Sequence, residues 1–130
     1  MSIEENKRIA RKWIEAVNQQ NYAAFDELMT PGIAESNKQG IQAAYVIWEG
    51  HHVEIIDSIA EGDWVYLNCI NSATHTGEAY GLPPTGRHWS AKVIFFFRIE
   101  NGKIMEWDNL ADGTDIVKQL GATITPLAPQ

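Results

Sequence analysis

The sequence predicts a single α+β domain in which helices come first and an antiparallel sheet follows. Three observations carry that reading. Up to Trp48, apolar residues recur at helical spacing. After Gly50 come runs rich in β-branched and aromatic residues, separated by turn signals. Asn101-Gly102 is the strongest two-residue hairpin signal in the chain. A length of 130 residues fits one domain. We assign it to residues 1–124 and read "TPLAPQ" (125–130) as a fraying C-terminal tail.

Ser2 and Glu5 stand at capping-box spacing before the first helix. There Ile9, Trp13 and Val17, with Ala10 and Ile14 alongside, make one broad apolar face. A shorter helix, Tyr22–Met29, is expected from a cap at Asn21. Thr30-Pro31 then suits cap and first helical position, opening a third helix that runs to about Trp48. "HHVEIIDSIA" (51–60) is the first expected strand and Glu61–Asp63 a turn. Strands are expected at Trp64–His75, Trp89–Glu100 and Lys103–Ala111, with a short helix at Thr114–Gly121. Strands joined in this way curl readily, so the helices are expected to cap a concave face and close a pocket there.

With 45% hydrophobic and 21% charged residues, the chain has the balance of a soluble globular protein. A net charge of -7 argues against nucleic acid as a partner. The basic stretch Lys7–Lys12 reads as a solvated helix face. The single Cys69 excludes an internal disulfide and a multi-cysteine zinc site, and its apolar strand suggests a buried small hydrophobe. No signal pattern or membrane-length apolar run is present, so no membrane partner and a cytoplasmic location are expected.

The segment "ATHTGEAYGLPPTGRHW" (73–89) is the least generic in the chain. Its glycines permit unusual backbone angles and Pro83-Pro84 stiffens it, as in any hairpin loop of fixed shape. The order "GDWV", "THTGEAYGLPPTG", "FRIENGKIMEW", "QLG" resembles the SnoaL-like polyketide cyclase family within the NTF2-like superfamily. The resemblance covers roughly Asp57 to Gly121. It implies an NTF2-like cone, a curved sheet wrapped around helices with an apolar cavity at one end. It further implies a homodimer or higher oligomer through the sheet's outer face, and an intramolecular aldol cyclisation of a planar aromatic polyketide without metal or organic cofactor.

Aligned on the family pattern, the cyclases' catalytic Asp falls on Asn109, and two cavity histidines fall on Phe95 and Trp107. His75 of "THTG" is retained, and Asp112 matches an acidic position of the family. An amide cannot serve as a general base, although Asn109 can hydrogen-bond a carbonyl or an enolate. Strand alternation places Met105 and Trp107 on the face of Asn109, with Glu106 and Asp108 opposite. Asp108 reaches the cavity only if a bulge shifts the register. Asp112 reads either as a site group or as a helix cap, and His75 either as a site group or as structural. The family's usual short strand after the second helix is replaced here by the helical "PGIAESNKQGIQAAYVIW".

Trp13, Tyr45, Trp48, Phe95, Phe97 and Trp107 are candidates to line a pocket for a small apolar or aromatic molecule, with Trp89 beside them. His51-His52 looks like part of a metal site, but neighbouring strand residues point to opposite faces, so no metal is expected. The leading expectation is a cofactor-independent acid/base enzyme on a small carbonyl compound, by cyclisation, isomerisation or hydrolysis. In it, Asn109 and His75 polarise the substrate and Asp108 or Asp112 moves the proton. The alternatives are a non-catalytic small-molecule binder and a purely oligomeric scaffold.

Overall fold

A computed structural model describes residues 2–127. Helix α1 (Ile3–Gln19) starts at the expected cap, where the Glu5 N–H donates to Ser2 Oγ at 3.0 Å. Its apolar face, with Ile9, Ala10, Trp13, Ile14 and Val17, is buried in the core. Helix α2 (Ala23–Leu28) is shorter than expected and has no side-chain cap. Tyr22 takes the cap position, and Asn21 contributes its backbone carbonyl to the Ala24 N–H instead. Helix α3 (Pro31–Ile47) begins with Pro at its first turn, and the Thr30 carbonyl accepts from the Ala34 N–H at 2.9 Å.

The strands β1 (Trp48–Glu61), β2 (Trp64–His75), β3 (His88–Glu100) and β4 (Lys103–Ala111) form one antiparallel sheet in the order β1-β2-β3-β4. Strand β1 begins at Trp48, ahead of the expected His51, because a register shift between Glu49 and His52 absorbs Gly50 at φ 67°. Pairing thereby extends to Trp48 against His75. At the other end Asn101 and Gly102 both adopt positive φ, 50° and 77°, as a type I′ turn demands. The short helix α4 (Gly113–Gln119) closes the chain and packs on β3. Residues 125–127 of the expected tail carry no regular structure; its last three residues, 128–130, lie outside the described region.

Strand β2 shows why the sheet has one inner face. Val65, Leu67 and Cys69 are fully buried, whereas the intervening Tyr66 is exposed. Helices α1 and α3 cover this inner face. Trp13, fully buried, packs its ring 5.1 to 6.0 Å from those of Phe95, Trp107, Phe97 and Phe25. A second, smaller cluster of Ala73, Trp89, Ala91, Ile116 and Leu120 fills the end of the inner face beneath α4.

One bulge decides which residues face inward on β4. Arg98 pairs with Glu106 but Ile99 pairs with Ile104, leaving Met105 as the extra residue. Alternation from Asn109 back through Trp107 therefore does not continue to Met105. Ile104, fully buried, takes the inward position that simple alternation assigned to Met105.

Candidate functional site

A cavity of about 440 Å³ lies between α3 and the inner face of all four strands. Helix α3 supplies Ile33, Ser36, Asn37, Gly40, Ile41 and Ala44; the sheet supplies His51, Asn71, Val93, Phe95, Trp107, Asn109 and Ala111. The volume falls in the range usual for small-molecule sites, roughly 300–1,000 Å³. Most of the wall is apolar, so a ligand is held chiefly by burial of its own apolar surface.

The polar groups of the wall divide into two kinds. Asn37 is satisfied: its Oδ1 accepts from Trp13 Nε1 at 3.1 Å and its Nδ2 donates to the Ile33 carbonyl at 3.0 Å. It fixes the Trp13 ring behind the wall. By contrast His51 Nδ1, Asn71 Oδ1 and Trp107 Nε1 are buried and have no hydrogen-bond partner among the described residues. An unmet buried polar atom costs about 1–3 kcal/mol. Three on one wall make a cavity suited to a molecule that carries both hydrogen-bond donors and acceptors.

His51 is held from two sides. The Tyr45 hydroxyl lies 2.8 Å from the Val17 carbonyl and 3.1 Å from the His51 carbonyl, tying α1, α3 and β1 together. The Tyr45 and His51 rings meet edge-on, with centroids 5.4 Å apart. Burial, and secondarily the neighbouring His52, hold the His51 imidazole below the ordinary histidine value of 6.5. Among the residues lining this cavity, His51 is the one titratable side chain. Burial also pushes the Cys69 thiol up to about 11, which leaves it unreactive at neutral pH.

The structure brings Phe95, Trp107 and Asn109 onto the wall, with Asn109 solvent-exposed. Trp13 and Phe97, both fully buried, stand behind that wall, and Tyr45 buttresses His51. Four expected site residues lie elsewhere. Asp108 pairs with Phe96, between the inward Trp107 and Asn109, and so faces the outer side; its Oδ1 accepts from the Asn109 N–H at 2.8 Å. The β4 bulge comes before Trp107 and leaves this orientation unchanged. Asp112 caps α4, accepting from the Asp115 N–H at 3.1 Å. Trp48 packs against the smaller cluster, its ring 5.2 Å from that of Trp89, and the His75 ring lies 5.3 Å from Trp48.

His75 has a structural task there. Its Nδ1 accepts from the Thr85 N–H at 3.2 Å, so a neutral ring carries its proton on Nε2. Its backbone N–H donates to Arg87 and its carbonyl accepts from Gly86, each at 2.9 Å. The next two residues, Thr76 and Gly77, both donate their N–H to the Ile47 carbonyl. A Cβ on Gly77 would lie 2.9 Å from Ile47 Cα. The 76–87 loop thus latches the junction between α3 and β1, from which His51 is presented.

Two wall residues escape a motif-based reading of the sequence. Asn71 is the polar member of the inward series Val65, Leu67, Cys69, Asn71, Ala73, and strand alternation alone exposes it. In the sequence His51 stands out only as half of a metal-like pair with His52. Among the described residues no group of three or more His, Cys, Asp or Glu side chains is placed to hold a metal ion.

A family model, the SnoaL-like polyketide cyclase, matches residues 7–120. The aklanonic acid methyl ester cyclase DnrD of Streptomyces peucetius is 32% identical over 128 residues, covering 87% of this chain and 88% of that protein. Among solved structures, AclR from Streptomyces galilaeus superposes with a TM-score of 0.82 at 22% identity, covering 96% of this chain and 87% of its own. IdmH from Streptomyces antibioticus gives 0.79 at 23% identity, with 90% and 99% covered. At these identities the structural likeness speaks for the shared cone-shaped fold.

Proposed function

The chain belongs to the SnoaL-like polyketide cyclase family, and on that premise we propose that it is a cofactor-independent acid/base enzyme acting on a small, largely apolar carbonyl compound. The observation that carries this reading is the apolar cavity whose wall holds Asn109 beside buried polar atoms without protein partners. Removing a proton from carbon beside a carbonyl develops negative charge on oxygen. N–H donors aimed at that oxygen stabilise the charge, an effect commonly worth 10² or more in rate. The Asn109 amide supplies such a donor where the cyclases carry a carboxylate, while Phe95 and Trp107 supply flat walls. Asp108, Asp112 and His75 lie away from this wall, so the role expected of them passes to the wall itself.

The reaction we infer is an intramolecular ring closure, as the cyclase relatives' names suggest, by the aldol route that the family resemblance implies. Such a closure leaves the mass unchanged. Incubation with aklanonic acid methyl ester, followed by chromatography and mass spectrometry, tests it: a new species of identical mass supports the reading. Tight binding with no conversion contradicts it and favours a non-catalytic binding protein, the reading that Asn109 in place of an acid also motivates.

We further propose a cytoplasmic homodimer formed through the outer face of the sheet. Ile56, Ile59, Tyr66, Ile94 and Leu110 are exposed apolar residues of the strands. Such a surface favours association over solvent exposure. No helix among the described residues is long and apolar enough to cross a membrane.

A further inference from the structure

We propose that His51 is the residue that moves the proton in this cavity, acting through Nδ1, with Trp107 Nε1 holding the oxygen on which charge develops. The inference rests on the enzyme reading above and assigns its acid/base. His51 is the titratable side chain on the wall, and its Nδ1 is buried without a partner. It stands on β1, while Trp107 and Asn109 stand on β4, so the proton acceptor and the N–H donors occupy the two edge strands of the sheet. The Glu49/His52 bulge and the Tyr45 buttress hold the imidazole in this orientation.

The surroundings suit a base. Tyr45 faces the ring from α3, and Asn71 lines the same wall from β2; both are neutral at pH 7. On β1, burial first and the neighbouring His52 second oppose protonation of His51, and Glu49 and Glu54 are exposed to solvent. A neutral imidazole is therefore present at pH 7 with a lone pair available. It takes a proton from the carbon beside a carbonyl. The C–H electron pair becomes the enolate, whose oxygen accepts from Trp107 Nε1–H. The enolate carbon then bonds to a second carbonyl carbon of the same molecule. The resulting alkoxide recovers the proton from the imidazolium, and no other reactant is consumed.

The first half of this sequence is measurable with 2-tetralone, a bicyclic aromatic ketone, as exchange of its α-hydrogens in D2O followed by proton NMR. Binding is read separately by quenching of tryptophan fluorescence. We expect wild type to accelerate exchange, His51→Gln to lose about 10²-fold or more of that rate while still binding, and His88→Gln, an exposed residue outside the cavity, to match wild type. Should His51→Gln fail to fold, the wild-type pH profile carries the test, with the rate rising through a single deprotonation below pH 6.5. Wild-type exchange retained in His51→Gln, or a rising limb in the carboxylate range near pH 4, overturns the assignment and leaves the enzyme reading standing. Binding of 2-tetralone with no exchange above buffer overturns both.

Discussion

Two histidines on the inner face of one sheet have opposite fates. His75, inside the conspicuous "THTG" segment, is fully buried and hydrogen-bonded to the loop that follows it. His51, at a strand start outside that segment, lines a cavity with its Nδ1 unpartnered among the described residues. His75 Nε2 and Trp89 Nε1 also lack hydrogen-bond partners among the described residues, but neither residue lines the cavity. At the His51 end the neighbouring space is a cavity. The difference teaches that a family signature can be conspicuous because it is mechanically demanding. The loop holds the α3–β1 junction, and the junction holds the site.

If this division is right, substitutions at the two ends separate stability from activity. The largest loss of stability is expected for His75→Ala. It removes a buried ring and leaves the Thr85 N–H unmet, at a cost of about 2–4 kcal/mol by chemical denaturation. Binding of 2-tetralone by the folded fraction should be unaltered. Next comes Gly77→Ala, whose Cβ would stand 2.9 Å from the Ile47 backbone. We expect about 1–3 kcal/mol of destabilisation, and a displaced His51 should weaken activity as well. Asp112→Ala should cost about 1 kcal/mol through its cap and leave activity unchanged. Smallest of all, Asp108→Asn should alter stability by less than about 0.5 kcal/mol; a large loss of turnover in that variant would return the proton to the carboxylate.

The pH dependence separates the two ends further. His51 has a native value held below the ordinary 6.5, so the unfolded chain binds more protons than the native one between those two values. Above pH 6.5 the group has no influence on stability. As pH falls through 6.5 toward the depressed native value, stability declines, and below that value the whole penalty is present. Denaturation curves between pH 7.5 and 5 should show this decline, and His51→Gln should flatten it.

Much of the fold is legible in the sequence because local signals agree. Ser2 caps α1 through the Glu5 N–H, the Trp64–His75 alternation sets the inner face, and Asn101-Gly102 forces the hairpin. The misses are where tertiary structure overrides pattern. Pairing with His75 draws Trp48 into β1, and the bulge at Met105 substitutes Ile104 as the inward residue. The site is less legible for the same reason. Phe95, Trp107 and Asn109 follow from the family pattern and alternation. His51 does not, because its direction depends on a bulge and on the Tyr45 hydroxyl of the preceding helix α3.

The most direct measurement is an NMR titration of the five tryptophan indole N–H signals with 2-tetralone. The account predicts that the Trp107 signal moves most and saturates, with Trp48 and Trp89 unmoved. Saturable movement of Trp48 and Trp89 with Trp107 unchanged would place the ligand at the His75 end and contradict it.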